Sequence, residues 1–149
     1  MRSLTLAAAL AIAPPVALAA QQPADTSLYA RLGGVYAIAT VVDDFLERVL
    51  ADSVLNANPR INAARQAVPR AGLKYRVTEL VCQATGGPCK YTGRSMKDAH
   101  AHLAINEAQW QALLRDFRAS LAHFKVPPRE QGDLIAIVES TKSDIVVPQ

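Results

Sequence analysis

Aromatic side chains are scarce in this chain: one tryptophan, four tyrosines and three phenylalanines, 5% of 149 residues. Glycines number only seven, and no segment alternates polar with apolar positions, so a β-sheet fold has little to build on. Two cysteines are too few for a disulfide scaffold or a four-cysteine zinc site. Charge of one sign is also lacking: 16 Lys+Arg against 13 Asp+Glu leave +3, too mild a balance to argue for a nucleic-acid partner. What the chain has in quantity is apolar residues, 50% of the total, which excludes a disordered chain. The length suits one domain, and the abundance of alanine and leucine favours helices.

The first residues read as a targeting segment rather than as fold. Arg2 supplies a positive charge, Leu4 to Ala13 form a short apolar run, Pro14-Pro15 break it, and Ala17-Leu18-Ala19 fit a small-x-small cleavage site. The run is shorter than the ~20 residues of a membrane-spanning helix, which disfavours a retained anchor. Residues 1–19 are therefore expected to be a secretory signal peptide and 20–149 a single domain with no stable membrane span, periplasmic or secreted.

The rest of the chain reads as all-α. From Val35, Ile38, Val41, Val42, Phe45, Leu46, Val49 and Leu50 fall at helical spacing. Residues 52 to 71, rich in asparagine and proline, carry no clean period and read as loop with one helical turn. Leu73, Val77, Leu80, Val81 and Ala84 form a second stripe, ended by Gly86-Gly87-Pro88. Ser95-Met96-Lys97-Asp98 is a capping box for a short helix through His100 to about Leu103. Asn106 with Gln109 starts a longer helix bearing Trp110, Leu113, Leu114, Phe117 and Leu121. Pro127-Pro128 separates it from a last stripe that ends near Ile145. Five to seven helices are expected. Cys82 and Cys89 flank the Gly-Gly-Pro turn; an oxidising compartment permits a bridge, and spacing leaves both a disulfide and two unpaired thiols open.

Three histidines are candidates for chemistry. His100 and His102 lie two apart on one helix, about 200° around it, so they cannot serve one metal from one face. Without HExxH, CxxC or a carboxylate cluster, a protein zinc site is unsupported. A single histidine still suffices as axial ligand to haem iron, which further needs an apolar slot and cations for the propionates. His100 offers the imidazole, Met96, Leu103 and Ile105 an apolar flank, Leu73, Val77 and Leu80 an opposite wall, and Arg76, Arg94 and Lys97 the cations.

Several stretches together resemble the group I truncated haemoglobins. They are Leu28-Tyr29-Ala30-Arg31-Leu32-Gly33-Gly34, Val41 through Phe45, Arg48 through Asp52, Phe124-Lys125-Val126-Pro127 and, above all, Gly86-Gly87-Pro88 through Tyr91-Thr92-Gly93-Arg94 and Met96-Lys97 to His100. The resemblance implies a two-over-two helical sandwich around one haem b, with His100 as proximal iron ligand. It implies that Met96, Ile105 and Trp110 line the proximal side and that Arg76, Arg94 and Lys97 meet propionates; His102 reads as surface or pocket rim, and His123 as an exposed helix position. The function implied is reversible binding of oxygen or other diatomic gases (NO, CO), with a reductase as a possible partner.

The departures are informative. The family places a tyrosine where this chain has Leu46, a polar residue in the distal helix where it has Leu73 or Val77, and a phenylalanine pair where it reads Asn56-Ala57-Asn58-Pro59. On that alignment the distal wall is Leu46, Leu73, Val77 and Leu80, all without donors, and oxygen is expected to be retained weakly. Asn56, Asn58 or Asn62 remain alternative sources of a distal donor. Efficient nitric oxide dioxygenation or peroxidase chemistry is not expected from such a wall. The other reading is a globin-scaffold interaction or haem-delivery module, with His102 as a transient second ligand.

Overall fold

The computed structural model describes residues 26–147; the predicted signal segment, 1–19, lies outside them. Among the described residues, nine α-helices and one 3-10 turn follow one another, with a single isolated bridge between Ile105 and Val146 in place of any strand.

The opening helix α1 (Leu28–Arg31) is capped by Ser27, whose hydroxyl accepts from Ala30 N at 3.1 Å. Gly33 and Gly34 then turn the chain with φ of 87° and 80°, a region that residues with a side chain rarely enter. The corner releases α2 (Gly34–Ala51), which buries Ile38, Val42 and Leu46, one row at four-residue steps.

The stretch expected to be mostly loop holds two helices. Asp52 caps α3 (Ser53–Asn56), accepting from Leu55 N at 2.9 Å. Asn58 caps α4 (Pro59–Ala67), whose first position is a proline already set for helix. Cap residues marked both starts. The apolar pattern did not, because α3 and α4 bury only Leu55 and Ile61. Next come α5 (Arg70–Ala84), then α6 (Met96–His100), continued by the 3-10 turn Ala101–Leu103. Both halves of the Asn106/Gln109 capping box are made at the start of α7 (Glu107–His123). The last apolar stripe is not one helix: it breaks at Ser140 and Thr141 into α8 (Pro128–Glu139) and α9 (Lys142–Ile145).

Helix α2 packs on both α5 and α7, and α7 on α8, two layers of two as expected. One apolar cluster joins Ile38, Val42 and Leu46 to Leu73, Val77 and Val81 of α5. A second joins Phe117, Leu121 and Leu134 of α7 and α8 to Val41, Phe45 and Val81, with the rings of Phe45 and Phe117 edge to face at 5.2 Å. A third, around Leu55, Ile61, Leu103, Ile105 and Ala112, ties α3 and α4 to the tail at Ile145 and Val146.

The α2–α7 joint also has a polar seam. Asp44 accepts from Arg48 Nε and from Ser120 Oγ, both at 2.7 Å, and the Arg48 bond holds its carboxyl below the usual range. Asp116, on the same seam, has a buried Oδ2 with no partner among the described residues; burial, then the charge of Asp52, pushes its pKa up.

Candidate functional site

His100 closes α6 and is half-buried. Its Nδ1 lies 2.8 Å from the Met96 carbonyl oxygen, one turn back. A carbonyl only accepts, so Nδ1 carries the proton and Nε2 is left with a free lone pair. Burial pushes the ring's pKa down; the Met96 bond opposes this, and the charges of His102 and Arg94 add to the lowering. The imidazole is thus held neutral and oriented, the form in which histidine binds a metal.

No group of three His, Cys, Asp or Glu side chains among the described residues is placed to hold a metal ion. His102 and His123 are exposed, the latter stacked edge-on against Phe124 at 4.8 Å. A metal at His100 therefore needs its other ligands from a cofactor.

The residues expected to form the opposite wall lie on α2 and α5: Leu73 and Val77 pack against the cluster that holds Leu46, and Val81 joins them. Leu80 is half-buried. None of these side chains carries a donor. Tyr75 points away, 59% exposed, which removes it as a distal group.

The three asparagines held open as distal donors are all spent on structure, which corrects that expectation. Asn58 is buried: Nδ2 donates to Leu103 O at 2.9 Å and to Gln109 Oε1 at 3.3 Å, while Oδ1 caps α4. Asn56 donates to Leu50 O at 3.2 Å and accepts from Arg65; Asn62 donates to Asn56 O at 2.7 Å. Arg65 completes this knot by donating to Val49 O at 2.6 Å, at the end of α2.

The cations divide into two kinds. Arg76 is engaged, with Glu79 at 2.9 Å and with Thr92. Arg94 and Lys97 are exposed and make no ion pair among the described residues. Of the residues expected on the proximal side, Met96 is half-buried and Trp110 is 1% exposed. Ile105 is buried in the cluster with Leu55 and Leu103, where the α9 tail covers it: Val147 N donates to its carbonyl at 3.0 Å.

The open alternative at the cysteines is resolved as a bridge. Cys82 and Cys89 form a disulfide with Cα atoms 5.7 Å apart, tying the end of α5 to the loop that leads to α6. Side chains brace that loop: Tyr91 N donates to Gln83 Oε1 at 2.7 Å, and Tyr91 OH to Arg94 O at 2.8 Å. Gly87 has no alternative there, since a Cβ would lie 2.4 Å from the Tyr29 ring and 2.7 Å from Cys82 Sγ. An apolar cavity of about 330 Å³, bounded by Ile38, Val41, Val81, Phe117 and Leu134, opens elsewhere, between α2 and the α7–α8 corner; none of the expected site residues lines it.

Comparison with known proteins decides what this arrangement is. The family model of the bacterial-like globins matches residues 27–147. The group 1 truncated hemoglobin GlbN of Synechocystis sp. is 35% identical over 117 residues, 76% of this chain and 86% of that protein. The chain belongs to the bacterial-like globin family, as a group 1 truncated hemoglobin. Its group 1 relative from Chlamydomonas moewusii is 29% identical over 122 residues, 80% of this chain and 68% of that protein. Among solved structures, the 2/2 hemoglobin of Synechococcus sp. PCC 7002 superimposes with a TM-score of 0.70 at 26% identity, over 81% of this chain and 98% of that one. The truncated oxygen-avid haemoglobin of Bacillus subtilis shares the fold, with a TM-score of 0.68 at 20% identity over 82% of this chain and 100% of that one. A truncated hemoglobin is a haem protein that binds diatomic gases, and the residues present fit that group. A neutral imidazole offers a lone pair, half-covered apolar side chains flank it, and two unpaired cations stand near for carboxylates.

Proposed function

We propose that this globin holds haem b through His100 Nε2, in a cleft whose far wall gives a gas ligand no hydrogen bond, and that it works outside the cytoplasm. The observation that carries the reading is the Nδ1–Met96 bond, which leaves Nε2 as the only nitrogen of this ring able to ligate. Haem, when bound, supplies an iron centre that takes a diatomic ligand. The chain does the rest. Met96 orients His100, Trp110 and Ile105 back it, and Arg94 and Lys97 meet the propionates. Arg76 reaches a propionate only by sharing or leaving its bonds to Glu79 and Thr92. Leu46, Leu73, Val77 and Leu80 exclude water and offer no donor, so polarised dioxygen is held less firmly than carbon monoxide or nitric oxide.

The location outside the cytoplasm is supported by the signal pattern of residues 1–19 and by the Cys82–Cys89 bridge, since structural disulfides persist in oxidising compartments. Sequencing the N-terminus of the exported protein tests it: a mature chain starting at Ala20 is expected, and an intact Met1 in the soluble cytoplasmic fraction overturns it.

The test of the haem reading is the absorption spectrum of protein from haem-replete cells. A Soret band is expected in the parent and is expected to be lost or strongly shifted in His100→Ala, with imidazole restoring it. A band unchanged in His100→Ala assigns the iron ligand elsewhere.

A further inference from the structure

Apart from the chain itself, the disulfide is the one covalent link between α5 and the segment that leads to His100, the two sides of the cleft on the haem reading. Cys82 belongs to α5, which carries Leu73, Val77 and Leu80; Cys89 belongs to the loop that delivers Ser95, the N-cap of the His100 helix. Little else holds that loop. After Gly87 N, which donates to Cys82 O at 2.8 Å, the next backbone-to-backbone bond among the described residues is from Ala99 N to Ser95 O, inside α6. The polar links back to α5, Tyr91–Gln83 and Arg76–Thr92, lie at exposed positions where water competes for them. Helix α5 itself has one buried residue, Cys82.

We propose that Cys82–Cys89 is a redox-cleavable clasp on the haem cleft: closed, it holds α5 and the His100 segment in register and retains haem; opened by a dithiol reductant, it lets haem leave. The inference rests on the haem reading above. Accessibility orders the reaction. Cys82 is 0% exposed and Cys89 is half-buried, so the entering thiolate meets Cys89 Sγ. A bond forms between the reductant sulfur and Cys89, the Cys82–Cys89 bond breaks, and Cys82 leaves as a thiolate that takes up a proton. The reductant's second thiol then displaces Cys89, giving two protein thiols and one oxidised dithiol, a balanced two-electron exchange.

The experiment uses the full mature chain loaded with haem, and reads haem loss to excess apomyoglobin with and without dithiothreitol, beside the Cys82→Ser/Cys89→Ser variant. Dithiothreitol is expected to speed haem loss by about tenfold or more in the parent, about 1.4 kcal/mol of retention per decade. The variant is expected to lose haem at the fast rate and not to respond to dithiothreitol. Equal rates for oxidised and reduced parent overturn the clasp while leaving the haem reading intact; absence of any Soret band in both states overturns the haem reading instead. Hydrogen exchange on the apo-protein gives a second readout that does not need the variant to fold. The hydrogen-bonded amides on either side of the bridge, in the last turns of α5 with Thr85 and Gly87 and at Ala99 in α6, are expected to exchange faster after reduction, and unchanged protection at all of them overturns the proposal.

Discussion

Helices α5 and α7 are similar in length and both pack on α2, yet they are built differently. Helix α7 buries Trp110, Ala112, Leu114, Phe117, Ser120 and Leu121 among others. Helix α5 buries Cys82 alone, although Leu73, Val77, Leu80 and Val81 stand on it at helical spacing. The difference separates the half of the molecule that holds itself together from the half that is shaped for something else. In α7 Trp110, Leu114, Phe117 and Leu121 are buried in protein, with Leu113 alone of its large apolar side chains half-buried, and the fold depends on those contacts. In α5 and α6 the larger apolar side chains stay half-covered, which costs stability in the chain alone and, on the haem reading proposed above, would be the contact surface of a flat apolar cofactor.

Substitutions can break this comparison. The largest effect is expected at Leu121, fully buried between α2, α7 and α8. Leu121→Ala should cost about 2–5 kcal/mol in denaturant unfolding of the apo-protein. Leu73→Ala, half-buried on α5, should cost about 1 kcal/mol in the same measurement. Equal losses at the two positions would erase the distinction between the halves.

A second change tests the missing donor. Val77→Gln places an amide on the distal helix beside Leu46 and Leu73. A hydrogen bond to a charged partner contributes about 1.5–3 kcal/mol, so oxygen release in stopped flow should slow by roughly one to two decades. Carbon monoxide release should change far less. Slow oxygen release in the parent itself would show that a donor already reaches the pocket.

The smallest effect is expected at Asp116, on the seam between α2 and α7. Burial and Asp52 raise its folded pKa, so the folded state favours the protonated carboxyl. That contribution to stability is complete below the unfolded pKa and is lost as pH rises through the folded value. Asp116→Asn should therefore be more stable than the parent at neutral pH, and the two unfolding midpoints should converge as pH falls into the carboxylate range. A variant less stable than the parent at neutral pH would show that the charge has a partner in solution.

Much of the fold was legible in the sequence because its signals are local. The Ser95 and Asn106 caps act over three residues, and the stripes of α2, α5 and α7 repeat every turn. The run from Gly86 to His100 marked the family and its histidine. Helices α3 and α4 were not legible: each buries one apolar residue, too few for a period, and only the caps Asp52 and Asn58 announced them.

The chain's residue order by itself determined the long helices, the candidate histidine for an iron and the absence of aromatic or polar groups at the expected distal positions. Only the tertiary structure decided what the asparagines do, because Asn58 meets Leu103 from 45 residues away, a pairing no local rule contains. It also decided that Cys82 and Cys89 meet, because the Gly-Gly-Pro turn, not their spacing alone, brings their Cα atoms within reach. The choice of nitrogen at His100 was decided there too. It depends on where α6 stops and points its Met96 carbonyl, and the lone pair left on Nε2 follows from that hydrogen bond.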